Sequence, residues 1–139
     1  DERVFRMELE RDRRHAGTSR IVETWHPGNL AYAEARSPAV VARWLDALRT
    51  AAGAPGVVVQ PLWIDDRTAE QRLDEPGPAG ISAALGAVAD RTLDIVRDWG
   101  LPILPAVRND HFTPDEAARA IIAGWLQAKG ARANPLPVA

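Results

Sequence analysis

The chain has 139 residues, enough for one hydrophobic core, and 17 basic against 19 acidic residues give a net charge of −2. The charges are well mixed, so no field of one sign recruits nucleic acid or an anionic membrane surface. The absence of cysteine excludes a disulfide framework, a thiolate nucleophile and sulfur-ligated metal, and no apolar run approaches the ~20 residues of a membrane span. A cytoplasmic protein is the expectation.

In chain order, "DERVFRMELERDRR" places Phe5 and Leu9 four residues apart among many charges and predicts an amphipathic helix that Gly17 stops. Arg20 to Trp25 reads as a short strand through Ile21 and Val22, followed by a turn at Pro27-Gly28-Asn29. Ser37-Pro38 is an N-cap with proline at the first helical position. The stripe Val41, Trp44, Leu45 and Leu48 then predicts a helix over 38–52. "GVVVQPLWI", residues 56–64, is apolar and β-branched, as in a strand covered on both faces, with Pro61 making its later half irregular. Asp65-Asp66 opens a short helical stretch that breaks at Pro76, Gly77, Pro78 and Gly80.

Ile81, Leu85, Val88, Thr92 and Val96 recur at helical spacing, so a helix runs to about Trp99 with Gly100 as its C′ residue. A third short strand is expected over 102–107. Thr113-Pro114-Asp115-Glu116 is a capping box opening a helix through Ile121, Ile122, Trp125 and Leu126. Residues 130–139 read as a frayed tail. Trp44, Trp99 and Trp125 lie on apolar helical stripes and are expected in the core. Alternation of strands and helices predicts a single α/β domain over 1–139, three-layered, with a parallel sheet and helices on both faces.

The order of these pieces resembles the carboxyl-terminal two thirds of P-loop kinases, nearest to thymidylate kinase and related nucleoside and nucleotide kinases. Glu23 stands where that family's third strand ends in an acid, with Thr24 where arginine usually follows, and Leu30-Ala31-Tyr32 resembles its "S-x-x-A-Y" segment. "VVVQPLWI" with Thr68-Ala69-Glu70-Gln71-Arg72 resembles the fourth strand and the helix leading to the lid, and "AVRND" the last strand and adenine-side loop. The resemblance implies transfer of the γ-phosphoryl group of ATP, with Mg²⁺, to a nucleoside-like or other small acceptor. In that reading Glu23 orients or deprotonates the acceptor, Trp25, His26 and Tyr32 shape its pocket, Arg67 and Arg72 clamp phosphates, and Asn109 and Asp110 line the adenine side.

The phosphate loop G-x-x-x-x-G-K-[ST] does not occur in these residues, and Lys129 is the sole lysine. Those groups would have to precede Asp1. The family's strand order, 2-3-1-4-5, further implies that the segments at 20–25 and 56–64 flank an unfilled strand position, completed by further residues, a homodimer or a partner chain. Each residue also has a plainer reading. Glu23 can be a strand-end carboxylate held by an arginine, His26 a turn residue, Trp25 and Tyr32 packing groups, Arg67 and Arg72 solvated helix arginines, and Asn109-Asp110 a turn before the capped helix. The alternative function from a different class is a non-catalytic binding or subunit-interaction module.

Overall fold

The computed structural model describes residues 1–54, 56–64 and 81–133, without the side chains of 81–84 and 131–133. Five helices and a two-stranded parallel sheet account for the regular structure among them: α1 Glu2–Arg14, α2 His26–Glu34, α3 Pro38–Ala52, β1 Leu62–Trp63, α4 Ile81–Asp98, β2 Val107–Arg108 and α5 Pro114–Ala133. None of these helices is long and apolar enough to cross a membrane. The expected three-layer α/β architecture is therefore corrected to a mainly helical one, and Asp65, Asp66, Arg67 and Arg72 fall outside the described residues.

Two compact bodies make up the chain, the first formed by Asp1–Val57 with Ala84–Leu101 and the second by Val58–Ala83 with Pro102–Ala139. In the first body α1 carries Glu2 in its first turn and Arg11, Arg13 and Arg14 in its last, each sign at the end of the macrodipole that favours it. Its stripe turns Phe5 and Leu9 inward. They meet Leu30, Ala31 and Ala33 of α2, Leu48 of α3 and Ile95 of α4, with Val40, Val41, Trp44, Val88 and Trp99 packed around the cluster. The Glu34 carboxylate ties α2 to α4 by accepting two hydrogen bonds from Arg91, both 2.7 Å, and this pairing holds Glu34 below the ordinary carboxylate range.

Helix α4 ends as its sequence predicts. Gly100 adopts φ +66°, its N–H donates to the Arg97 carbonyl at 2.9 Å, and Leu101 N–H reaches the Val96 carbonyl at 3.0 Å, the paired bonds of a Schellman cap. A side chain at Gly100 would strain that left-handed turn.

The segment expected as the first strand, Arg20 to Trp25, is not one. Val22 takes part in no ladder, Ile21 is 86% exposed, and Thr24 turns through φ +45° before the chain enters α2 at His26. Pro27-Gly28-Asn29 proves to be the first turn of that helix rather than a loop, because proline in a first turn loses only an N–H that would have no helical partner. Gly28 packs closely there: a Cβ would stand 3.2 Å from Thr24 Cγ2, so a larger residue would require that side chain to give way.

In the second body the segments expected as strands over 56–64 and 102–107 do pair, in parallel. Val59 bridges Ile103, Leu62 lies beside Val107 and Trp63 beside Arg108. The partner offset grows by one residue between Val59 and Leu62, a bulge on the strand that carries Pro105. Pro61 has no N–H to give, and the Gln60 side-chain amide fills the break by donating to the Pro105 carbonyl at 2.5 Å. Prolines thus cut the ladder to short pieces, and the five-strand order has no counterpart among the described residues. Helix α5 opens with the expected capping box, in which the Thr113 N–H donates to Glu116 Oε2 at 2.8 Å and the Glu116 N–H to Thr113 Oγ1 at 3.3 Å. Gly124 lets it lie close to the sheet, since a Cβ would come 3.2 Å from Gln60 Oε1.

Candidate functional site

The densest polar cluster among the described residues sits where α1 meets the start of α2, and its centre is Asp12. Phe5, Leu9 and Asp12 follow at i, i+4 and i+7, so the helix carries this carboxylate on its apolar face. Asp12 Oδ2 accepts from Trp25 Nε1 at 3.0 Å and from His26 Nε2 at 2.8 Å, while Oδ1 accepts from the Arg20 guanidinium. Arg20 also donates to the Arg11 carbonyl at 3.1 Å, and Arg11 itself pairs with Glu8. The Thr24 turn and the α2 start bring Trp25 and His26 side by side, ring centroids 4.7 Å apart.

His26 is fully buried. An ionised Asp12 carboxylate can only accept, so Nε2 carries the imidazole proton and Nδ1 is a bare acceptor with no partner among the described residues. Burial pushes His26 below its ordinary pKa, against the opposing pull of Asp12, and Arg11 and Arg20 push the same way as burial. Glu8 is raised by burial, which outweighs its pairing with Arg11. The cluster is a neutral imidazole fixed by a shared carboxylate.

A pH dependence follows. Because the folded state holds His26 below its unfolded value of about 6.5, its contribution is fully present above that pH and is lost as pH falls through it toward the lowered folded value. Glu8, being raised, contributes in the opposite sense, losing stability as pH rises through its folded value. Urea unfolding from about pH 7.5 to about pH 5.5 should therefore show the protein losing stability on acidification, and His26→Gln should flatten the slope while leaving the Glu8 contribution in place. Equal slopes in the two proteins would contradict this assignment.

The residues singled out in the sequence are not gathered into one pocket. Glu23 is exposed and lines a shallow open groove with Arg11, His15, Thr18 and Arg20, but it joins no hydrogen bond of the Asp12 cluster. Tyr32 lies on the exposed side of α2, 38% accessible, while its neighbours Ala31 and Ala33 face the core. Asn109 and Asp110 belong to the second body. The Asn109 N–H donates to the Trp63 carbonyl at 2.8 Å, and Arg108 donates to both Asp110 oxygens at 3.0 and 2.5 Å, shaping the turn before α5. Trp125, expected in the core, is 38% exposed, in contrast to Trp44 and Trp99. Arg67 and Arg72 lie outside the described residues, among which no cluster of three or more His, Asp or Glu is arranged to hold a metal ion.

Asp12, the residue that organises the cluster, went unrecognised in the sequence. Its signal was an acid at i+7 from Phe5 on the helix face that buries.

The described residues define a mainly α-helical protein with one short parallel ladder. Comparison with protein-family models, with curated proteins and with solved structures finds no match.

Proposed function

We propose that the chain is a non-catalytic interaction module that acts through an exposed helix face. The observation that carries this reading is the row Ile122, Trp125 and Leu126 on α5, which are 51%, 38% and 54% exposed and succeed one another at i, i+3 and i+4. The opposite face of α5 is the packed one, through the buried Ala117 and the close approach of Gly124. Large apolar side chains on an outer helix face mark a surface that another protein covers. Trp25 and His26, the ring-bearing residues expected to shape a substrate pocket, are instead held by Asp12. The phosphotransfer expectation, with ATP, Mg²⁺ and a small acceptor, rests on the family resemblance and is no part of this proposal.

If the row serves association rather than folding, its replacement should leave the chain's own stability unchanged. The double variant Ile122→Asp/Leu126→Asp, at low protein concentration, is expected to unfold in urea within about 0.5 kcal/mol of the parent, as solvent-facing substitutions do. A loss of about 2 kcal/mol or more would show that these side chains pack inside the protein and would remove the basis of the reading.

A further inference from the structure

The geometry points to a second copy of this chain as the occupant of the α5 face, docked antiparallel about a twofold axis at Ile122. This deepens the interaction-module reading and rests on it. The exposed face comprises Asp115, Ala118, Arg119, Ile122, Trp125, Leu126 and Lys129, spaced so that successive turns of the helix carry them on one side. Its chemistry is arranged symmetrically around Ile122, which an isologous contact requires, because residue i must suit residue j and j must suit i.

Antiparallel docking with the axis at Ile122 sets that side chain against the partner's Ile122. Four residues toward the N-terminus is the small Ala118, and three toward the C-terminus is the large Trp125, so the indole of each copy packs over the partner's Ala118. Leu126 falls beside the aliphatic stem of the partner's Arg119. At the ends Asp115, seven residues before the axis, faces the partner's Lys129, seven residues after it. Asp115 and Arg119 enter no ion pair among the described residues, so their charges are available for a partner. Lys129 already lies over Trp125, its Nζ 5.2 Å from the ring centroid, and so covers the indole from the end where Asp115 would approach. The antiparallel arrangement also sets the positive end of each helix dipole beside the negative end of the other. A parallel pairing would oppose Asp115 to its own counterpart and Lys129 to its own.

A single helix face belongs with the small interfaces, below about 1,200 Å² in total, so a micromolar equilibrium between monomer and dimer is expected rather than an obligate dimer. Sedimentation equilibrium of the full chain at low salt, from about 1 µM to about 300 µM, reads it directly. Ile122→Glu sets two carboxylates against each other on the axis and should weaken the dimer about 100-fold, with the helical circular dichroism unchanged. Asp115→Lys alone and Lys129→Asp alone should each weaken it roughly 5-fold or more, because symmetry counts each like-charge pair twice, and the double exchange should return it to within about 2-fold of the parent.

A chain that stays monomeric throughout that range overturns the proposal. So does a dimer indifferent to Ile122→Glu, or one that Ile122→Glu dissolves but the double exchange does not restore. The stability of Ile122→Asp/Leu126→Asp separates the two levels. If that variant is stable and the parent monomeric, the α5 face awaits a different protein; if it is destabilised, the face belongs to the fold and both readings fall.

Discussion

Replacing Phe5 with alanine is expected to lower the free energy of unfolding by about 4 kcal/mol, read as a shift of the urea midpoint at unchanged slope. Phe5 is 1% exposed and stands where α1 meets the buried side chains of α2, α3 and α4. Its removal loses the transfer free energy of a ring and leaves a cavity bounded by three other helices, each fixed by contacts of its own, so collapse onto the void is limited. Ile21→Ala is the control. Its side chain is 86% exposed, and truncation to alanine there should cost less than about 0.5 kcal/mol. Similar losses at the two sites would mean that the first body is not built around the Phe5 cluster.

How much of this was legible in the sequence differs from element to element, for physical reasons. The starts of α3 and α5 and the end of α4 were readable because caps are local: Pro38, the Thr113/Glu116 box and Gly100 act on neighbouring backbone groups whatever the tertiary context, whereas α5 runs on to Ala133, into the stretch expected to fray. The parallel pairing of the segments around Val59 and Ile103 was readable from their β-branched and apolar composition. It is interrupted at Pro61, which has no N–H to give and where the Gln60 amide reaches the Pro105 carbonyl instead.

Arg20 to Trp25 misled because its three β-branched residues in six, Ile21, Val22 and Thr24, suit a strand locally, whereas a long-range contact decided the conformation. Asp12, on a helix that ends six residues earlier, holds Arg20, Trp25 and His26 and so sets the path of the chain between them. No local pattern contains that pairing. The same pairing separates the candidate residues: the sequence places Trp25 at the end of a strand and His26 in the turn after it, whereas they are the cap and first residue of a helix anchored to the Asp12 carboxylate. Helix α5 shows a different limit. Periodicity locates an apolar stripe but not which face is covered. Here the small residues Ala117 and Gly124 make the close approach, leaving Ile122, Trp125 and Leu126 outside.

The Asp12, Trp25 and His26 cluster holds the start of α2 against α1, and the unfolding free energy of Asp12→Ala reads that role directly. Without the carboxylate the ring N–H of the fully buried His26 loses its acceptor and becomes an uncompensated burial, while the indole of Trp25 and the guanidinium of Arg20 turn to water at less cost. The expected loss is about 3 kcal/mol at neutral pH. Asp12→Asn, which retains a carbonyl acceptor, should lose roughly half as much. An Asp12→Ala protein within about 0.5 kcal/mol of the parent would contradict the account, because it would leave His26 and Trp25 free of any structural duty.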